Sequence, residues 1–364
     1  MNAEEGAVSK LSSAGTFLLN ITGGNSFRWD NVTFDGDGIA SSIAYTISGV
    51  DGVTMSNVSV TGFANRCCVF EQSVANVQIV GGTYSNCTGL DVLVLKSNYN
   101  RISGCHFRGI QEHAVRFGRF GSDAAVDSGA YSTISGCTFE NVTNDPILCE
   151  LGSRFVTIRG NSFFECRNIC KITLATDDCH SINVIGNTLR KPKGAVSAFT
   201  RGVSAADSDR VTVANNVIDL AGSEVGGVAT NANAGIVVGT HSTVSGNTVV
   251  GTSQDHGIYC EDNSRVIGNL VKDFIVNGIA VDGPYCSVTG NELVSAENGV
   301  YGMRVSASDV TATGNTVKLT GTTTVGFSGT STADYATVVG NNFRGATTPI
   351  SISGVGAITA NNQV

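Results

Sequence analysis

An all-β solenoid is the fold this sequence predicts, and three observations predict it. A short phrase, apolar-x-Gly-Asn-x-apolar, returns in fourteen copies spaced by 21 to 32 residues along nearly the whole chain. Between successive copies a second signal recurs, Gly-Ile-x-Val or a close variant. No segment carries a sustained helical stripe of apolar residues. A period of this size marks a repeat architecture, in which each copy buries its apolar face only against its neighbours.

The first signal is clearest as Ile158-Arg159-Gly160-Asn161-Ser162-Phe163, Val184-Ile185-Gly186-Asn187-Thr188-Leu189 and Val244-Ser245-Gly246-Asn247-Thr248-Val249. It continues at Asn269, Asn291, Asn315 and Asn341. Asn216 and Asn362 fill the slot in Asn-Asn variants, and upstream it is read as Asn31, Asn57, Gly82, Cys105 and Cys137. Each copy opens with a short strand such as Val211-Thr212-Val213, apolar inward and small polar outward. Gly-Asn then turns the chain, both residues tolerating positive φ. Two residues past the slot an inward column is expected: Tyr84, Phe107, Phe139, Phe163, Leu189, Val249, Leu293, Val317 and Phe343. The second signal, as in Gly235-Ile236-Val237-Val238 and Gly278-Ile279-Ala280-Val281, supplies the remaining strand.

Short strands with no helix to cover them cannot build an ordinary parallel α/β sheet, but they can coil on themselves. Each copy then becomes one rung, stacked at about 4.8 Å on the next. Asn amides in a column would hydrogen-bond up and down it. The unbroken repeat argues for one domain over 1–364, with residues 1–15 as an N-terminal cap or linker.

This pattern resembles the right-handed parallel β-helix of the pectin-lyase-like superfamily, and within it the polysaccharide-binding tailspikes and depolymerases of bacteriophages. The resemblance implies a bacterial capsular or lipopolysaccharide glycan as partner, and a glycoside hydrolase or polysaccharide lyase as the activity. It equally admits a non-catalytic adhesin or a structural virion fibre. It further implies a homotrimer, and a virion or extracellular location after folding in a cytoplasm. The calcium-binding Asp cluster of pectate lyases, with its catalytic Arg beside Pro, is not visible.

Composition narrows the partners. With 22 Lys and Arg against 30 Asp and Glu, a net charge of −8 and no basic run, nucleic acid and anionic membrane are poor candidates. No stretch is apolar for long enough to insert in a bilayer, and the N-terminus reads without a signal peptide. The eleven cysteines lack framework or zinc spacing, so buried reduced thiols are expected, with no metal and no cofactor. The last copy runs to Val364, so a partner chain or a longer polypeptide is expected to cover that end.

Registering the copies on the second signal aligns outward side chains into rows. One slot holds Arg66, Asp91, His113, Asp145 and Asn168, and the slot before it Glu112, Asn144 and Arg167. On the following strand the outward residues run Glu71, Lys96, Arg116, Glu150 and Lys171, with Arg119 beyond them in a lengthened loop. Asp91, Glu112, His113, Asp145 and Glu150 are the catalytic candidates. Arg66, Glu71, Lys96, Arg116, Arg119 and Lys171 are the substrate-binding candidates. Glu112 and Asp145, one rung apart, would lie about 5 Å from each other, the spacing of a retaining pair. Asp91 and Asp145, two rungs apart, would lie about 9.6 Å apart, near the inverting range. His113 between carboxylates would favour its charged form, or act as the base of an elimination. Opposite charges stacked down a column also stabilise rungs with no function at all, by roughly 0.2–1 kcal/mol a pair. A weaker cluster, Asp255, His256, Glu261 and Asp282, reads as lacking basic partners.

Overall fold

The computed structural model describes residues 8–10, 17–37, 43–71, 73–118, 129–150, 152–173, 179–190, 201–206, 208–221, 234–251 and 256–364. Among these residues there are 42 short strands and no helix, and every strand pairs parallel with the one three places along. The strands therefore group in threes, fourteen triplets in all, and each triplet is one rung of a parallel β-helix. The chain forms two compact units, Met1–Asn183 and Val184–Val364.

In unit 1 the inward column two residues past the turn is a stack of aromatic rings. Tyr84, Phe107, Phe139 and Phe163 are fully buried, with successive centroids 5.0, 4.9 and 4.6 Å apart and planes within 16° of parallel. In-register pairing of the strands Thr83–Ser85, His106–Ile110, Thr138–Val142 and Ser162–Phe164 produces this stack, because identical positions of a parallel ladder sit one above another. In unit 2 the same column is aliphatic through Leu189, Val249, Leu293 and Val317 and ends on Phe343, all fully buried.

The Gly-Asn turn divides its work differently from the expectation that both residues take positive φ. Only the first does: Gly160, Gly246 and Gly290 lie at φ 60°, 62° and 65°, while the Asn that follows is buried. In unit 2 the buried asparagines form a hydrogen-bonded ladder. The amides of Asn216, Asn247, Asn269 and Asn291 each donate twice to the Oδ1 of the next rung's Asn, from the backbone N–H and from Nδ2, at 2.9–3.0 Å. The second Nδ2 hydrogen goes to a backbone carbonyl, Val184, Val213, Val244 and Val266 in turn. A buried turn is thus left without orphaned amide groups.

That division corrects the two earliest copies. Asn31 and Asn57 take the left-handed position, at φ 54° and 53°, and the slot itself holds Val32 and Val58. The physical reason is that Asn tolerates positive φ nearly as Gly does, so an isolated Asn is ambiguous by one residue. Asn215 and Asn361 play the same left-handed part ahead of Asn216 and Asn362. The glycine of the second signal also has a packing cause. A Cβ on Gly257 would fall 2.2 Å from Val271 Cγ1, and one on Gly326 would fall 2.5 Å from Phe343 Cδ1. All eleven cysteines are buried, as expected, including Cys105 and Cys137 in the slot.

Candidate functional site

The strands Cys68–Phe70, Asp91–Leu95, His113–Phe117, Ile147–Cys149 and Cys170–Ile172 lie side by side in unit 1. Their register places Arg66, Asp91, His113, Asp145 and Asn168 in one column, as the rows predict. The strand row, however, separates into two columns. Arg116 and Lys171 stand three residues past the column residue, level with Val69, Val94 and Leu148. Glu71, Lys96 and Glu150 stand five past it, at the strand ends. Both positions point outward because side chains alternate, so parity alone could not tell them apart.

His113 is the centre of the first column. Its Nδ1 lies 2.9 Å from Asp91 Oδ1 and its Nε2 lies 3.8 Å from Asp145 Oδ2. Both carboxylates are buried, Asp91 at 1 % and Asp145 at 3 % exposure. Asn168 Nδ2 donates to Asp145 Oδ1, and Lys171 Nζ stands 4.0 Å from Oδ2. On the other flank, Arg116 donates to Asp91 Oδ2 at 3.4 Å and to Glu150, and Arg66 lies 3.6 Å from the same Asp91 oxygen. Charge therefore runs unbroken through five rungs, cations and anions alternating.

Burial works against a charged imidazole at His113, but the carboxylates of Asp145 and Asp91 outweigh it and raise the pKa from 6.5 to about 9. Burial would likewise raise the Asp145 carboxyl, yet His113, Arg167 and Lys171 hold it below the ordinary 3.8. At neutral pH the imidazole carries its proton and Asp145 is ionised. Of these two groups, His113 is the one that can give a proton, and in this state it is not a base.

The other predicted residues form side contacts. Lys96 Nζ grips both oxygens of Glu71 at 2.9–3.0 Å. Glu112 accepts from Asn144 at 2.6 Å, and Arg167 donates to Asn144 Oδ1 at 2.7 Å. Arg119 lies outside the described residues.

A feature the rows could not show lies on the turns of these rungs. Tyr99, Tyr131 and Phe155 stack with centroids 5.2 and 4.9 Å apart, yet are 54, 46 and 43 % exposed. The stack covers ring faces and leaves edges and the tyrosine hydroxyls to solvent. All three residues sit at left-handed φ, 60°, 54° and 55°, where a bulky side chain is unfavourable. Tyr45, by contrast, is buried against Trp29 and Phe34.

In unit 2, Asp255 lies outside the described residues, His256 is buried and Asp282 accepts from the Tyr259 hydroxyl at 3.1 Å. The expectation that this cluster lacks a basic partner is corrected: Arg304, two rungs from Tyr259 in the same column, lines a pocket with His256 and Asp282.

Two family profiles match the chain, one described as a right handed beta helix region over residues 41–218 and one as periplasmic copper-binding protein (NosD) over residues 171–363. No curated protein matches it. Among solved structures, tailspike protein 3 of bacteriophage CBA120 is 14% identical over 99% of this chain and 56% of its own, with a TM-score of 0.49. The chain thus spans about half the length of that tailspike. The A-module of the mannuronan C-5 epimerase AlgE6 of Azotobacter vinelandii is 12% identical over 93% of this chain and 91% of its own, at a TM-score of 0.45. The catalytic unit of an α-1,3-glucanase from Streptomyces thermodiastaticus is 12% identical over 98% and 62%, at 0.46.

Proposed function

We propose, for a chain that belongs to the family of the periplasmic copper-binding protein NosD and folds as a right-handed β-helix, that the polar face of unit 1 recognises a polysaccharide laid across successive rungs. One observation carries this reading: the charged columns and the exposed aromatic strip occupy the same three rungs, those of Asp91, His113 and Asp145. Charged and amide side chains match the hydroxyls and carboxylates of a sugar polymer, and the exposed Tyr99 and Tyr131 offer hydroxyl groups on an amphipathic ring. The finer reading is a tailspike-type protein of a virion, homotrimeric, facing a bacterial capsule or lipopolysaccharide.

A second reading, cleavage of that polymer, rests on His113. Its imidazolium is placed to protonate a leaving glycosidic oxygen, while an ionised carboxylate of the network takes up a proton from water or from the sugar ring. Incubation with capsular and lipopolysaccharide extracts tests both readings. New reducing ends mark hydrolysis, absorbance of an unsaturated uronate marks elimination, and retention on immobilised glycan without either marks recognition alone. Neither retention nor cleavage across a broad panel would sink the glycan reading.

The family's name carries copper, and the donors in this chain do not fit it. Among the described residues no group of three or more His, Cys, Asp and Glu side chains is placed to hold a metal ion. Imidazole ligands must be neutral, whereas His113 keeps its proton up to about pH 9 and His256 Nδ1 faces the Asn277 amide at 2.8 Å.

A further inference from the structure

Unit 2 carries a pocket of its own, about 380 Å³, lined by His256, Asn277, Ala280, Asp282, Arg304 and Ser306. We propose that it binds an acidic sugar residue, a pyranose bearing one carboxylate, independently of the unit 1 face. The volume lies in the usual range of small-ligand sites, roughly 300–1,000 Å³.

Three adjacent strands build it: His256–Cys260, Asn277–Val281 and Tyr301–Val305. Their register stacks His256 on Asn277, and Tyr259 on Ala280 and then Arg304. The inner wall is polar and buried, with His256 at 4 % and Asn277 at 0 % exposure. Asn277 Nδ2 lies 2.8 Å from His256 Nδ1, while the buried Asn277 Oδ1 has no hydrogen-bond partner among the described residues. Ala280 supplies the apolar part of the lining and packs with Tyr259 in one buried hydrophobic cluster behind it. The Tyr259 hydroxyl donates to Asp282 Oδ2, fixing that carboxylate and leaving its other oxygen available.

Arg304 supplies the specificity. It is exposed, lines the pocket, and forms no ion pair or hydrogen bond with any described residue. A planar guanidinium without a partner matches a carboxylate bidentately. A phosphate dianion is the poorer fit, because a single cation faces it and Asp282 stands close by as a like charge. Asp282 and Ser306 are suited instead to hydroxyl groups, and Ala280 leaves room for the C–H side of a ring.

Calorimetric titration of the full chain with glucuronate, glucose and inorganic phosphate tests the assignment, with the His256 ring resonances followed in parallel. Saturable millimolar binding of glucuronate that shifts His256 is expected, with glucose and phosphate weaker by about tenfold or more. Arg304→Gln, a change at an exposed side chain, should weaken glucuronate by about tenfold or more, while Asp282→Asn should lessen the preference for glucuronate over a simple carboxylate such as acetate. Retained affinity in Arg304→Gln, phosphate binding as tight as glucuronate, or no saturation and no His256 shift would each overturn it. His113→Gln leaves this titration unchanged, so a failure of the unit 1 reading is told apart from a failure here.

Discussion

Replacing His113 by glutamine removes a cation that touches both Asp91 and Asp145, and its consequence can be worked from the structure. The imidazole titrates at 6.5 when unfolded and at about 9 in place. That difference is linked to about 3 kcal/mol of stability. Because the folded value is the higher one, the contribution is complete below pH 6.5 and fades as pH rises through 9. The wild-type protein should therefore lose stability with a slope approaching 1.4 kcal/mol per pH unit between those values, in the absence of other titrations. Because other groups also contribute to the pH dependence of the wild type, the decisive quantity is the difference between wild type and His113→Gln. Urea unfolding midpoints measured from about pH 6 to pH 10, with the His113 ring resonance titrated alongside, provide it. The variant should be the less stable by about 3–5 kcal/mol at pH 6, since two buried carboxylates lose a partner, and the gap should narrow as pH rises. A ring titration midpoint below pH 7, or parallel curves for the two proteins, would refute the clamped imidazolium.

Other perturbations test other links. Asp145→Asn keeps the shape but removes the charge facing His113, so the His113 titration should move down toward 6.5, and any cleavage that relies on its proton should weaken at neutral pH. Asn291→Ala breaks the unit 2 ladder at its middle and strands the amide hydrogens of Asn269; a loss of about 2–4 kcal/mol with accelerated hydrogen exchange at neighbouring turns is expected. Tyr131→Gly relieves a left-handed backbone while deleting the middle ring of the aromatic strip. Stability should change by no more than about 1 kcal/mol, whereas retention on glycan should fall. Phe139→Ala removes a ring stacked on both sides in the core, and calorimetry should show about 3–5 kcal/mol of destabilisation.

Much of the coil was legible before any coordinate. Apolar alternation and the residue after a left-handed turn are properties of a few adjacent residues, and the repeat exposes them fourteen times. Counting from the Gly-Ile-x-Val strand was enough to align Asp91, His113, Asp145 and Asn168, because parallel in-register pairing carries equal offsets from rung to rung. The same counting failed where offset did not determine identity. Asn31 and Asn57 were placed one residue off because Asn suits either turn position, and the outward strand row merged two columns of the same parity. The rows already put His113 between two carboxylates; the choice of the charged imidazolium over a base, Arg304 beside Asp282, and three aromatic rings stacked on solvent-facing turns were left to the tertiary structure. Local dihedral preference and alternation are written in the chain itself. Contacts across rungs, and the burial that moves a pKa, depend on intervening segments of unequal length and come into being only when the rungs are stacked.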